Sequence, residues 1–202
     1  MCIRDSLSIA DDTLVIVTSD NGPWFQGSAG NVRGRKGESF DGGMRVPFFA
    51  RWPGYIAAGR RTDAVASGVD LFPTLLGLAG VPVPSERIID GANLMPVFTT
   101  GERREEAPIY YYAWNTLEAV RLGRYKWQSR RGIVYPEIQL GPFAIRIPKG
   151  PWLFDLDRDP DESYDVHERH PDAFVELSEL AETFETQRAK NPRGWLDPPD
   201  VQ

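Results

Sequence analysis

The sequence predicts an α/β protein whose second half is a small antiparallel sheet packed with a C-terminal helix. Three observations predict it. Residues 13–18 form an apolar, β-branched run without alternation, the pattern of a strand covered on both faces in a parallel or mixed sheet. Residues 109–114, 118–128 and 152–156 read as strands of an antiparallel group. Residues 171–184 place Phe174, Leu177, Leu180, Ala181 and Phe184 on one stripe of a helix.

Composition narrows the function classes. The chain has 202 residues, 41% hydrophobic and 26% charged, enough to build a core. A net charge of −6 does not suit coating nucleic acid. No apolar run approaches the length of a membrane span, and the N-terminus lacks a signal pattern. The single cysteine, Cys2, excludes an intrachain disulfide framework and a Cys-rich zinc site. Residues 1–6 read as a non-native or disordered leader, or else as the tail of a helix.

The remaining elements follow in order. The run 13–18 ends at Asp20-Asn21-Gly22, and residues 22–43 are long for a connection and rich in glycine, which marks a functional or mobile segment. Residues 46–52 form a second strand closed by Pro53-Gly54. Residues 70–80 read as a short helix with Asp70 as N-cap, Pro73 in the first turn and Gly80 as the stop. The charged stretch 101–106 separates an α/β part, 7–106, from an antiparallel subdomain, 107–190. The proline-containing tail 191–202 reads as loosely ordered. A strand buried on both faces needs neighbours, and the chain offers one partner before the antiparallel part begins. The expectation is therefore a C-terminal piece of a larger domain.

Asp20 and Asn21 stand where ligands bind in open α/β sheets, beyond the carboxyl end of a strand. A carboxylate beside an amide carbonyl offers two hard oxygens suited to Ca²⁺ or Mg²⁺. Asp-Asn-Gly is also turn chemistry, and two donors do not fill a shell of about six to eight oxygens, so the residues alone favour a turn. The loop from Gly30 to Gly37 brings Arg33, Arg35 and Lys36 among glycines. That pairing suits a sulfate or phosphate, and a solvated loop explains it equally well. Its order is not that of a phosphate-binding P-loop. Asp155-Leu156-Asp157-Arg158-Asp159 opens like a calcium-binding EF-hand but has Pro160 and Val166 where Gly and Glu are required, and reads as a strand end and turn. His167 and His170 read as solvated or capping residues, with no Ser-His-Asp or Cys-His arrangement.

Taken in order, Asp20-Asn21-Gly22, the basic loop with Lys36-Gly37, Asp41-Gly42-Gly43-Met44-Arg45-Val46-Pro47, Trp52-Pro53-Gly54, Val69-Asp70-Leu71-Phe72-Pro73-Thr74, Asp90-Gly91-Ala92-Asn93-Leu94, the stretch from Ala119 to Lys126 and the stretch from Leu153 to Glu162 resemble the C-terminal half of type I sulfatases. These are the arylsulfatase-like enzymes of the alkaline-phosphatase superfamily. The resemblance covers residues 12–184. It implies that 7–106 is the C-terminal part of the catalytic domain and that the chain is about the last 40% of a sulfatase. By position it makes Asp20 and Asn21 two ligands of a calcium ion that holds the substrate's sulfate, and Lys36 a catalytic contact to a sulfate oxygen. Arg45 braces the strand start. The family's nucleophile is a formylglycine made from Cys or Ser in a Cys/Ser-x-Pro-x-Arg motif. Residues 2–6 do not match it, with Arg4 where Pro is required, and the family's other calcium ligands and catalytic histidine have no counterpart here. The implied reaction is attack of the hydrated aldehyde on sulfur with release of the alcohol, calcium and Lys36 neutralising charge on the sulfate oxygens.

The implied partner is a sulfate ester, aryl or carbohydrate, and export is implied with it. Oligomeric state is not legible. Two alternatives stay open: a fragment of a phosphate or phosphonate ester hydrolase of the same superfamily, and a non-catalytic module in which Tyr110, Tyr111, Tyr112, Trp114 and Trp127 stack on glycans. Strand packing is the simpler account of those aromatics. Residues 132–150, with Tyr135, Phe143 and Arg146, are the expected specificity element.

Overall fold

A computed structural model of the chain describes residues 3–86, 88–102, 107–113, 116–129 and 150–190. The expected specificity segment up to residue 149, Trp114 and the tail 191–202 lie outside these residues. The chain divides into two compact units, Met1–Ser19 with Pro47–Ala107, and Asp20–Val46 with Pro108–Gln202.

The first unit opens with one helical turn, α1 (Ile3–Ser6). Strand β1 (Val15–Thr18) pairs with β2 (Phe48–Arg51), Val15 opposite Arg51 and Thr18 opposite Phe48. The pairing is antiparallel. The apolar run 13–18 led to the expectation of a strand covered on both faces, but Val17 is 59% exposed and Phe48 and Phe49 are exposed beside it. An unalternating apolar run reports that both faces suit burial; it does not say what covers them.

Helix α3 (Leu71–Leu78) follows a 3-10 turn, Gly68–Asp70. Asp70 is the N-cap residue of α3, as the sequence suggested, but its side chain makes no cap bond to that helix and serves the 3-10 turn instead, whose own N-cap is Ser67. Asp70 is the third position of a capping box, its Oδ2 accepting from the Ser67 N–H at 2.7 Å. Its Oδ1 accepts from the Ala92 N–H at 2.8 Å, and the Thr74 hydroxyl accepts from the Leu94 N–H at 2.8 Å. These two bonds fasten the chain before α4 (Met95–Thr99) to the start of α3. Leu94, Val97 and Phe98 form the core of this unit, with Leu71 and Ile56 against it.

The second unit is built on a four-stranded antiparallel sheet in the order β3 (Ile109–Ala113), β4 (Thr116–Leu122), β5 (Tyr125–Gln128), β6 (Trp152–Asp155). What reads in sequence as one strand, 118–128, is two strands joined at Gly123-Arg124. Gly123, at φ +56°, supplies the left-handed residue this tight hairpin requires. Helix α5 (Pro171–Lys190) packs on β4 and β5, burying Leu177 and Ala181 against Leu117, Val120 and Leu153. The stripe Phe174, Leu177, Leu180, Ala181 and Phe184 all joins that core. Tyr110 stacks on Phe184 at 3.8 Å between centroids, and the Tyr112 hydroxyl donates to Glu185 Oε1 at 3.0 Å. The tyrosines of β3 are thus used in packing.

Candidate functional site

The loop leaving β1 closes on itself. The Gly22 N–H donates to the Gly43 carbonyl at 2.8 Å, and the Gly42 N–H donates to the Arg33 carbonyl at 2.6 Å. The crossing requires glycine: a Cβ on Gly22 would lie 2.0 Å from the Gly42 oxygen, and one on Gly42 would lie 2.4 Å from the Arg33 oxygen. Inside this closure the Lys36 N–H donates to the Pro23 carbonyl at 3.0 Å. That bond brings the backbone of Lys36 to the residue two places after Asn21.

The three cations of the loop have different partners. Arg35 Nη1 donates to the carbonyls of Trp24 (2.9 Å), Phe25 (3.2 Å) and Gly27 (2.8 Å), and its backbone N–H donates to Glu38 Oε2 at 2.8 Å. Arg33 lies over the Phe40 ring at 4.6 Å and donates to the Glu162 carbonyl at 3.2 Å. Both arginines brace backbone. Among the described residues Lys36 has no side-chain partner, and it lines an open cavity of about 600 Å³ bounded also by Trp24, Phe25 and Val32. Asp20 is exposed and Asn21 half-buried.

What holds the loop is a buried ionic cluster that the sequence reading missed. Its members are Asp41, in the short helix α2 (Asp41–Met44), Lys126 of β5 and Glu162. Lys126 and Glu162 are fully buried, with Nζ and Oε1 at 2.5 Å. Lys126 also donates to the Ser39 carbonyl at 2.7 Å, lies 3.6 Å from Asp41 Oδ1 and sits 4.2 Å from the Tyr111 ring centroid. Glu162 Oε2 accepts from the Asp41 N–H at 2.7 Å, so one carboxylate joins the strand lysine to the start of α2. Asp41 accepts from the Tyr111 hydroxyl at 3.0 Å and from Arg45 Nη2 at 2.8 Å, with Arg121 Nη1 at 3.5 Å. Alongside, the Ser39 hydroxyl donates to Glu118 Oε2 at 2.7 Å and accepts from Gln128 Nε2 at 3.1 Å.

The sheet therefore has two covered faces. Tyr125 and Trp127 of β5 meet the helix core, while Lys126 and Gln128, which alternate with them, meet the loop. The two acids respond differently to this setting. Burial pushes the Asp41 carboxyl up, but Lys126, Arg45, Arg121 and the Tyr111 hydroxyl together hold it below the usual carboxylate range. Burial also pushes Glu162 up, and there it outweighs Lys126, leaving the group raised. Burial and the Asp41 carboxylate raise the Tyr111 phenol, which keeps it a donor.

The other candidates are structural. Asp155 takes both arms of Arg124, Nε at 2.8 Å and Nη2 shorter, and accepts the Asp157 N–H at 3.3 Å, ending β6 in a turn. His167 pairs with Asp165 at 2.8 Å, and His170 meets the Tyr125 hydroxyl at 3.3 Å. For a metal, Asp20 and Asn21 offer hard oxygens of the right kind. Among the described residues no group of three or more His, Cys, Asp or Glu side chains is placed to hold an ion. The donor chemistry fits a calcium ion; a full shell requires further oxygens.

Comparison with known proteins gives a consistent set of relatives. The family model described as Sulfatase matches residues 5–81. The N-acetylgalactosamine-6-sulfatase of Sus scrofa is 40% identical over 183 residues, covering 80% of this chain and 35% of the relative. The chain thus spans about a third of the length of the curated relatives it matches. The crystal structure of PsFucS1 sulfatase from Pseudoalteromonas sp. matches 96% of this chain and 40% of its own, with a TM-score of 0.78 at 27% identity. A structure solved in complex with its substrate D-glucosamine-2-N,6-O-disulfate matches 94% of this chain and 37% of its own, with a TM-score of 0.61 at 25% identity.

Proposed function

The chain belongs to the type I sulfatase family, and we propose that the protein of which it forms part hydrolyses sulfate esters. The observation that carries this reading is Lys36: a cation without a side-chain partner among the described residues, on a loop whose two arginines are committed to backbone, at the edge of an open cavity. A loop that fixes every neighbouring charge and leaves one ammonium facing a cavity is arranged for an anion.

In this reading Lys36 offers its ammonium to a sulfate oxygen. Its charge counts most as negative charge shifts onto that group, and the bond from its backbone N–H to the Pro23 carbonyl sets where its side chain starts. Asp20 and Asn21 would hold a calcium ion, which supplies further positive charge to the sulfate when bound. The remaining calcium ligands and the nucleophile are assigned to residues outside this sequence. Nucleophilic attack is not assigned to Cys2, which lacks the proline and arginine spacing of the family motif. The substrate is a carbohydrate or aryl sulfate, in line with the carbohydrate sulfates named for the relatives. Export is carried over from the family; no helix among the described residues is long and apolar enough to cross a membrane.

The test is turnover by the full-length protein of a chromogenic aryl sulfate and of the matching aryl phosphate, with calcium and after chelation. The expected result is hydrolysis of the sulfate that chelation abolishes, with Lys36→Ala lowering kcat roughly 10²- to 10³-fold. Preference for the phosphate would move the protein to the sister enzymes of the superfamily. An unchanged kcat with only a raised KM would reduce Lys36 to substrate docking.

A further inference from the structure

The cavity beside Lys36 has a wall that the sulfate does not need. Trp24 and Phe25 stand edge to face, centroids 4.7 Å apart at 74°, and remain 39% and 67% exposed. They line the same cavity as Lys36. The backbone beneath them is fixed, because Arg35 takes the carbonyls of both residues and of Gly27. Two large aromatic side chains displayed at a cavity on a braced backbone are poorly explained by packing, since neither joins the hydrophobic core of its unit. A volume of about 600 Å³ is also far larger than a sulfate group and lies within the range of organic-ligand sites.

We propose that Trp24 and Phe25 form a stacking subsite for the ring of the alcohol that carries the sulfate, so that this site selects sulfate esters of rings that present an apolar face. This rests on the sulfatase reading for the role of Lys36. The chemistry is shared by an aryl ring and by one face of a pyranose, both of which cover an aromatic side chain while the sulfate reaches the ammonium. The backbone of the wall is braced by Arg35, so binding the ring has the two side chains to order and not the loop beneath them. Trp24 and Phe25 are specificity-determining residues in this assignment. Chain positions 24 and 25 supply selectivity in addition to whatever residues 132–150 contribute.

The test uses the full-length enzyme and reads both binding and turnover. Phenyl sulfate, glucose 6-sulfate and ethyl sulfate are titrated by calorimetry into the wild type, Trp24→Ala and Trp24→Phe, and KM and kcat are measured for each. The expected result is about a tenfold weaker Kd and higher KM for ring sulfates in Trp24→Ala. Ethyl sulfate should be unaffected, and Trp24→Phe should recover most of the loss. A loss confined to phenyl sulfate assigns the subsite to aryl esters, and one confined to glucose 6-sulfate assigns it to sugars. The Trp24 carbonyl stays in the variant, so the melting temperature should hold; a fall shared by all three ligands would mark a folding defect and overturn the assignment. Ring sulfates bound equally by wild type and Trp24→Ala would also overturn it. Trp24-dependent binding without hydrolysis of any sulfate ester would sink the sulfatase reading and leave the ring site standing.

Discussion

Replacing Lys126 with methionine removes one charge from a closed space and little volume. In the wild type the ammonium lies 2.5 Å from Glu162 Oε1 and 2.7 Å from the Ser39 carbonyl, and the lysine is fully buried. Losing one partner of a buried pair leaves the other charge uncompensated, which destabilises by about 3–5 kcal/mol. Asp41 is cushioned, since Arg45 and the Tyr111 hydroxyl stay on it. The loss therefore falls on Glu162, which has a way out by taking a proton. Its carboxyl is already raised from its ordinary value of 4.5, and removing the cation raises it further. An acid raised in the folded state contributes stability that is full below its unfolded pKa and is lost as pH rises through the folded one. The deficit of Lys126→Met should thus be small near pH 4.5, grow with pH and level off above the new folded value. In urea unfolding at pH 8, with a slope of about 2 kcal/mol per molar, the midpoint should drop by about 2 M. Adding Glu162→Leu should restore much of it, because replacing both charges by apolar groups removes the penalty. A deficit under about 1 kcal/mol at pH 8, or one independent of pH, would refute the account of this cluster.

Other outcomes follow from the same structure. Asp70→Ala removes the acceptor of the Ser67 and Ala92 N–H groups and should destabilise the first unit by about 2 kcal/mol, measured as a shift in its urea midpoint. Gly22→Ala places a Cβ against the Gly42 oxygen, a backbone atom, and should open the loop; activity of the full-length enzyme should fall more than for Lys36→Arg, which keeps the charge but not its shape. Asp41 and Asp155 are both depressed by their cations against the pull of burial, so their share of stability is present above pH 3.8 and lost as pH falls through their folded values. Asp41→Asn should flatten that acid limb in a pH series of urea midpoints. For the full-length enzyme, Asp20→Ala should weaken calcium binding more than Asn21→Ala, because it removes a charged ligand. Equal calcium affinity in calorimetry for wild type and both variants would return these residues to a plain turn.

Much of the second unit was legible because its signals are local. The stripe from Phe174 to Phe184 is a helical period, and the strands around Tyr111, Val120 and Leu153 carry aromatic and β-branched residues. Asp70 was legible as the N-cap residue of α3, but the use of its side chain was not: it closes a capping box with Ser67 on the preceding 3-10 turn, which only the bond from the Ser67 N–H shows. The antiparallel pairing of β1 was not legible, since strand direction depends on the partner. Least legible was the cluster of Asp41, Lys126 and Glu162. Lys126 is 36 residues from Glu162, and Glu162 is 121 from Asp41. The one available signal was the placement of Lys126 between Tyr125 and Trp127, which reads as an ordinary solvent face until the loop is seen to cover it. Lys36, Asp20 and Asn21 stood out through the glycines and turn residues around them. The roles proposed for them come from the ordered resemblance along the chain, not from any one stretch.

The crossing at Gly22 and Gly42 separates what is held from what is shown. Its bonds run between backbone atoms, and Arg35 grips carbonyls, which every residue possesses. None of these ties asks for a particular side chain at Trp24, Phe25 or Val32. The tip can change its vocabulary while the grammar that positions Lys36 stays intact. A library of the full-length protein randomised at those three positions should keep its fold and, under the proposed function, differ in the esters it accepts.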